Sequence, residues 1–380
     1  MTAPSPQVDG AGPAAPRPLR VATRRSALAL AQSRAVGEQL ATLTGRPLEL
    51  VEVTTQGDVD RGPLAQIGGT GVFVAAVREA VAEGRADVAV HSLKDLPTAP
   101  DPRLELAAVP LREDPRDALV AGTAATLAEL PTGARVGTGS PRRRAQLAAI
   151  RPDLELVDLR DNVDTRLGQV RGRGVDAAVA AVAGAAGAAA APAGTGRTER
   201  RPDLDAVVLA TAGLSRLDRA DRISEHLDPD VMLPAPGQGA LAIEARAELV
   251  HPAGANGSRP DPLETGLLDA LRAIDDSDTR AAVTAERTVL ATLQAGCSAP
   301  VGALAEVRRG ASQPTLHLRA VLATADGTLV RCSASGPVDL AESLGRSLAL
   351  DLLADPSVTA GQAISGASTG PATTEGSPTR

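Results

Sequence analysis

The chain has no tryptophan, no tyrosine and a single phenylalanine, Phe73, in 380 residues. Its hydrophobic fraction of 43% is nevertheless that of an ordinary globular protein. Ala, Val and Leu carry nearly all of it, so the cores must be built from small aliphatic groups packed densely, without aromatic anchors. The same lack removes the stacking platform that single-stranded nucleic-acid sites use, and a net charge of −7 gives no general attraction to nucleic acid. Two cysteines, Cys297 and Cys332, are too few for a disulfide scaffold and suit a reducing cytosol. No run of about 18 strongly apolar residues is present, so no membrane span is expected. The Ala-Gly run from Ala177 to Ala193 comes nearest, but it lacks Leu and Ile and is broken by Gly184, Gly187 and Pro192. The N-terminus has neither a basic nor an apolar stretch, which argues against a signal peptide. Lysine is the other scarcity: Lys94 is the only one, and the remaining 38 basic residues are Arg. A lone survivor in so Arg-rich a composition is either chance or a place where an ammonium is needed and a guanidinium does not serve.

A chain of this length implies two or three domains. Residues 1–17 form an Ala/Pro/Gly-rich tail for which disorder is expected. Strands over 19–23, 48–55 and 86–92 alternate with helices over 26–43 and 73–83, a β-α-β-α-β order that implies a largely parallel sheet covered by helices. The pattern restarts near Arg116, with DALVAG, ARVGTG, LELVDLR and 207–211 as strands and helices over 141–150 and 162–171. Residues 239–246 read as a return strand. The organisation is therefore two similar α/β domains, residues 18–115 with 239–257 and residues 116–238. A third, 262–358, has a long helical stretch ending near Gln294, three strands with a hairpin at Asp326-Gly327, and a closing helix over 340–353. Residues 359–380 form a second tail with expected disorder. VDAAVAAVAG (175–184) is nearly repeated as LDAVVLATAG (204–213). The second copy reads as the native strand. The first, with its low-complexity spacer to about residue 203, is either a surface-loop insertion or an extra strand.

The chemistry-bearing residues gather at carboxyl ends of strands, where open α/β sheets bind ligands. Arg24 and Arg25 lead into a helix at Ser26. In VGTGSPRRR (136–144), Ser140 is the N-cap and Pro141 the first helical residue. Arg142 to Arg144 then fall in the first turn, the unfavourable end of the helix dipole for cations, and an anion in front of the helix would remove the conflict. Arg160 and Arg166 add to the set. This is either a carboxylate- or phosphate-binding lining or a solvated, salt-bridged surface. HSLKDLP (91–97) follows the third strand and holds Lys94 and Asp95, a carboxylate able to stabilise a developing cation and shuttle a proton. Cys297, beside Gly296 in a helix–strand loop, should be reachable as a nucleophile or attachment point, whereas Cys332 alternates with Val330 along a strand and should be buried and inert. Phe73 either covers a site as a lid or packs in the core.

In order, ATRRSALALAQ, TQGD, GGTGVFV, RADVAVHSLKDLP, REDPRDA, VGTGSPRRRAQL, LRDNVDTRL, ATAGLSRL, LPAPGQGALAIEAR, TAER and GCSAPVG resemble the porphobilinogen deaminase (hydroxymethylbilane synthase) family from about Leu19 to Leu353. The resemblance implies three domains: two periplasmic-binding-protein-like α/β domains with mixed sheets, and a small C-terminal α/β domain with a three-stranded antiparallel sheet. It implies a cytoplasmic, monomeric transferase that condenses four porphobilinogen molecules head to tail, releasing ammonia, with no metal, nucleic acid or membrane partner. Cys297 would hold a dipyrromethane cofactor through a thioether, and Asp95 would stabilise the azafulvene cation with Lys94 beside it. Ser92, Lys94, Thr138, Ser140, Arg142, Arg143, Arg160 and Arg166 would hold the cofactor. Arg24, Ser26, Arg160, Arg166 and Arg216 would hold substrate carboxylates, and Phe73 would belong to the active-site loop. The sequence departs from the family pattern at Gln66, Thr70, Gly139, Pro141 and Asp161, the last an acid beside Arg160. The competing reading is a non-catalytic small-carboxylate-binding protein of the same fold.

Overall fold

The computed structural model describes residues 16–54, 71–159, 162–171, 203–251, 262–295, 299–310 and 313–360. Two five-stranded sheets share one plan. In the first, β1 (Leu19–Arg24), β2 (Leu48–Val53), β3 (Val88–Ser92), β4 (Leu104–Ala108) and β10 (Leu241–Arg246) are ordered β2-β1-β3-β10-β4. β1 runs parallel to β2 and β3, while β10 is antiparallel to β3 and β4. In the second, β5 (Asp117–Ala121), β6 (Arg135–Gly137), β7 (Glu155–Val157), β8 (Ala206–Ala210) and β9 (Glu225–Leu227) are ordered β7-β6-β8-β5-β9, with β5 as the antiparallel member. Each antiparallel strand directly follows a crossover, residues 109–116 before β5 and residues 228–240 before β10. The chain therefore passes twice between the sheets.

Period-two alternation fixes the faces of each sheet. Leu19 and Val21 of β1 point into a cluster with Val36 and Leu40 of α1 (Ala27–Thr44), while Ala22 points to the other face, with Val77 and Val81 of α2 (Gly71–Ala82). The second sheet is covered in the same way, by α3 (Pro141–Ile150) through Leu147 on one face and by α4 (Val163–Leu167) and α5 (Thr211–Arg216) through Leu167 and Leu214 on the other. Leu, Val and Ala make up most of these layers, with Ile243 in the first sheet's core and Met232 in the second's. A short α6 (Ala247–Val250) follows β10.

The expected helical stretch before Gln294 is two helices, α7 (Pro262–Ile274) and α8 (Ser277–Thr292). Asp276 divides them by accepting the Thr279 amide at 2.7 Å as the N-cap of α8. Leu267, Leu271 and Ile274 of α7 pack in the core of the first sheet rather than with the third unit. The third unit is an antiparallel sheet of β11 (Val301–Arg308), β12 (Thr315–Ala323) and β13 (Leu329–Pro337), in sequence order, covered by α8 and α9 (Ala341–Ala354). α10 (Pro356–Ala360) ends the described chain. Two further differences from the sequence reading are local. The helix expected over 162–171 stops at Leu167, with Gly168 as its C-cap. β4 and β9 were not anticipated. Residues 175–202, with the first copy of the repeated segment, lie outside the described residues, while the second copy supplies β8 as expected.

The three units meet at one buried ion pair. Arg112, in the first crossover, donates to both oxygens of Glu286 in α8, at 2.6 and 3.0 Å, and through Nε to the Gln238 carbonyl in the second crossover at 2.8 Å. Glu286 is fully buried and also accepts the amides of Gly237 at 2.6 Å and Ala305 at 2.8 Å. The crossovers lie close enough that a Cβ on Gly239, at φ +88°, would sit 2.4 Å from the Glu113 carbonyl oxygen, so only glycine fits there. Because Glu286→Ala leaves Arg112 buried and uncompensated, the variant should lose about 3–5 kcal/mol of stability. A urea melt checks this: an unchanged midpoint would mean that the clamp does not hold the units together.

Candidate active site

Asp117, the first residue of β5, is fully buried and is the acceptor around which the site is organised. Arg142 Nη1 donates to its Oδ2 at 2.7 Å and to the Leu233 carbonyl at 2.6 Å. Arg143 donates to Oδ1 through Nε and Nη2 at 3.0 and 2.7 Å, and to the Val208 carbonyl at 2.8 Å. Burial pushes the Asp117 carboxyl up, but the two guanidiniums overcome it and hold the group well below the usual carboxylate range. The anion that the first-turn arginines of α3 call for is thus supplied by the protein itself. Ser140 is the N-cap of that helix, accepting the Arg143 amide at 3.4 Å, with Pro141 in the first turn. Thr138 is buried one step earlier, its hydroxyl accepting the Ser140 amide at 3.3 Å.

Gln238 carries the network across to the first domain. Its Nε2 donates to Asp117 Oδ1 and to the Pro115 carbonyl, both at 2.8 Å, which turns its Oε1 toward Lys94 Nζ at 3.3 Å. Lys94 lies in a 3-10 turn, Leu93–Asp95, that continues directly from β3. Burial pulls its ammonium down to about 8, with Asp95 and Asp117 opposing and Arg143 and Arg142 adding to the fall. Asp95, next in the turn, is exposed and makes no hydrogen bond or ion pair among the described residues. Ser92 precedes the turn and exchanges hydrogen bonds with the Gln32 amide of α1, at 2.9 and 3.1 Å.

The two strand–helix junctions of the sequence reading come from opposite sheets. Arg24 ends β1, half-buried, and Ser26 caps α1 by accepting the Ala29 amide at 3.3 Å. The first turn of α1 approaches α5, where a Cβ on Gly213 would lie 3.9 Å from Leu28 Cδ2. Arg216, at the end of α5, donates to the Gly239 carbonyl at 2.7 Å, and burial lowers its guanidinium while Glu113 opposes. Arg166 lies in α4, capped by Asn162 through the Thr165 amide at 2.9 Å. Arg160, Asp161, Cys297, Gln66 and Thr70 lie outside the described residues, as does the side chain of Phe73, whose backbone is in the first turn of α2. Cys332 is half-buried rather than buried, and burial raises its thiol, which makes it a poor nucleophile.

Sequence reasoning missed Asp117, Gln238, Arg112 and Glu286. The one available signal was a carboxylate opening the otherwise apolar run DALVA. As a chemical environment the site suits a polycarboxylate. Three buried or half-buried cations, Lys94, Arg142 and Arg143, surround one internal carboxylate, and Arg142 Nε is buried without a hydrogen-bond partner among the described residues. A cationic surplus with low hydration favours an incoming anion.

Residues 19–189 and 196–251 match the family described as porphobilinogen deaminase, dipyromethane cofactor binding domain, and residues 280–354 match the porphobilinogen deaminase C-terminal domain. The chain is 49% identical over 346 residues to porphobilinogen deaminase 1 of Streptomyces coelicolor, covering 88% of this chain and 95% of that protein. It is 52% identical over 316 residues to porphobilinogen deaminase of Micrococcus luteus, covering 82% and 80%. Among solved structures, a periplasmic substrate-binding protein from Coxiella burnetii aligns at 12% identity with a TM-score of 0.37, over 67% of this chain and 92% of that one.

The Lys94 environment makes a pH prediction. An anion bound beside Lys94 raises its pKa, so the bound state keeps a proton that the free state loses above about 8. Affinity for a pyrrole dicarboxylate should be flat below pH 8 and fall by up to about tenfold per pH unit above it. Calorimetry on wild type and Lys94→Met checks this. The variant should bind more weakly and without that dependence, and an equal fall in both would remove Lys94 as its source.

Proposed function

The chain belongs to the porphobilinogen deaminase family, and on that premise we propose how its own residues carry the reaction. The protein is a transferase of tetrapyrrole synthesis, condensing four porphobilinogen molecules head to tail into hydroxymethylbilane with release of ammonia, on a dipyrromethane cofactor. The observation that carries the assignment of roles is the Lys94–Gln238–Asp117–Arg142/Arg143 network. It joins both α/β domains and leaves a surplus of positive charge beside an exposed carboxylate.

Cys297 holds the cofactor by a thioether. When bound, dipyrromethane supplies the nucleophilic pyrrole carbon on which the chain of units is built. Lys94, with Ser92, Thr138, Ser140, Arg160 and Arg166, holds its carboxylates, and Arg142 and Arg143, turned onto Asp117, act on them through the positive charge they keep at the site. Arg24, Ser26 and Arg216, together with Arg160 and Arg166, hold those of the incoming substrate. Every added unit brings two more carboxylates, and the Arg-rich lining answers that charge within an acidic chain. Asp95 is the catalytic carboxylate. It accepts the substrate's pyrrole N–H, stabilises the positive charge that develops as ammonia leaves the aminomethyl carbon, and takes up the proton released when the new carbon–carbon bond forms. Lys94 keeps positive charge beside the bound carboxylates. Phe73 is assigned to the loop that closes over the site on the family resemblance alone.

The non-catalytic carboxylate binder is not favoured, since such a protein has no use for an exposed carboxylate beside the buried cations. We also propose that the enzyme is a cytoplasmic monomer with porphobilinogen as its small-molecule partner and with no nucleic-acid or membrane partner. The two-cysteine composition suits a reducing compartment, and no described helix is long and apolar enough to cross a membrane. The test of the catalytic role is Asp95→Ala. It should retain the mass of the cofactor while turnover falls by about 10²–10⁴-fold. Turnover within a few-fold of wild type would remove Asp95 from the chemistry.

A further inference from the structure

α8 of the third unit touches the turn that bears Lys94 and Asp95. Arg287 Nη1 donates to the carbonyls of Leu93 at 3.2 Å and Leu96 at 2.8 Å, and Nη2 donates to the Pro97 carbonyl at 2.8 Å. These three acceptors bracket Lys94 and Asp95 in sequence. The Leu93 carbonyl also accepts the Leu96 amide that closes the 3-10 turn, at 3.1 Å. Turns of this kind leave carbonyls at their carboxyl end without internal partners, and a planar guanidinium with five donors satisfies several at once.

The contact has an apolar component one helical turn earlier. Val283, four residues before Arg287 on the same face of α8, is buried in a cluster with Leu93, Leu96, Val109 and Ala240. From the second crossover, Gly237 presses on the same leucine: a Cβ there would sit 3.1 Å from Leu93 Cγ. The next residue back, Glu286, holds Arg112 and the two crossovers. Two consecutive side chains of one helix therefore grip the interdomain crossing and the Lys94–Asp95 turn. The segment that holds Cys297 starts four residues after α8 ends.

We propose that Arg287 is a positioning residue: it fixes the Lys94–Asp95 turn, and with it the Asp95 carboxylate, to the helix that leads into the cofactor cysteine. The proposal rests on the catalytic reading given above. Domain 1 supplies the carboxylate, and its turn must present that carboxylate in the same orientation at each addition. Arg287 provides that tie without touching substrate. Its loss should leave binding largely intact and reduce the chemical step, since misplacement by about 1 Å can cost on the order of 100-fold in rate.

The experiment uses the full chain with its cofactor, as wild type, Arg287→Met and Arg287→Lys. Three quantities are read: intact mass, kcat and KM for porphobilinogen, and amide hydrogen exchange at Leu93 and Leu96. Arg287→Met should keep the cofactor mass, exchange faster at both amides, and lose about 10- to 100-fold in kcat with KM changed less than about threefold. Arg287→Lys, which keeps the charge but not the fork, should recover part of both effects. If Arg287→Met does not fold, the lysine variant is read in the same way. Unchanged exchange at Leu93 and Leu96, or unchanged kcat despite faster exchange, would overturn the proposal. A wild type that does not turn over at all while the variants still loosen the turn would count against the catalytic reading and leave the tie itself standing.

Discussion

The arrangement depends on one buried carboxylate. Asp117 opens an internal strand of the second sheet, and a lone carboxylate there would be costly. Arg142, Arg143 and Gln238 meet it from α3 and from the second crossover. Each partner is also tied elsewhere: Arg142 to the Leu233 carbonyl, Arg143 to the Val208 carbonyl, Gln238 to the Pro115 carbonyl and Lys94. The result is a polar network whose members hold one another in single orientations and whose net charge is positive. Such a network orders a site and also prepares it for anions. The charge excess is what a ligand rich in carboxylates removes.

The crossing of two chain segments makes this possible. Each sheet takes its antiparallel strand from just after a crossover, so the linkers are anchored at both ends in rigid sheets rather than hanging free. Gly237 and Gly239 let the crossovers run against each other and against Leu93. Arg112 and Glu286 then fasten the third unit to that crossing. The consequence is that residues from three structural units, far apart in sequence, are held at one place by interactions that are mostly buried. Small aliphatic side chains suffice for the layers, so the missing aromatics cost the fold nothing that the structure reveals.

Much of this was legible in the sequence. The limits of α3 follow from Ser140 and Pro141, an N-cap and a first-turn proline, and the start of α1 follows from Ser26. The three strands of the third unit follow from alternation and from the turn at Asp326-Gly327. β4 and β9 were missed because five and three residues of mixed composition carry almost no periodic signal. The division between α7 and α8 was missed although Asp276 and Thr279 stand at capping distance, because apolar periodicity continues on both sides of it. The reading of Arg142 and Arg143 was half complete. Their position at the wrong end of the helix dipole required an anion, and the sequence could not say that Asp117, 25 residues earlier, is part of the answer. Arg287 was invisible for the same reason: its acceptors are backbone carbonyls about 190 residues away, and a carbonyl leaves no trace in composition.

The proposed roles all require a dipyrromethane carried on Cys297. The most direct measurement is the intact mass of the purified protein, wild type beside Cys297→Ser, before and after incubation with porphobilinogen. Wild type should carry the excess mass of two linked pyrrole units, or acquire it on incubation, and the variant should carry none under either condition. An excess mass retained by Cys297→Ser, or a wild type still unmodified after incubation, would contradict those roles.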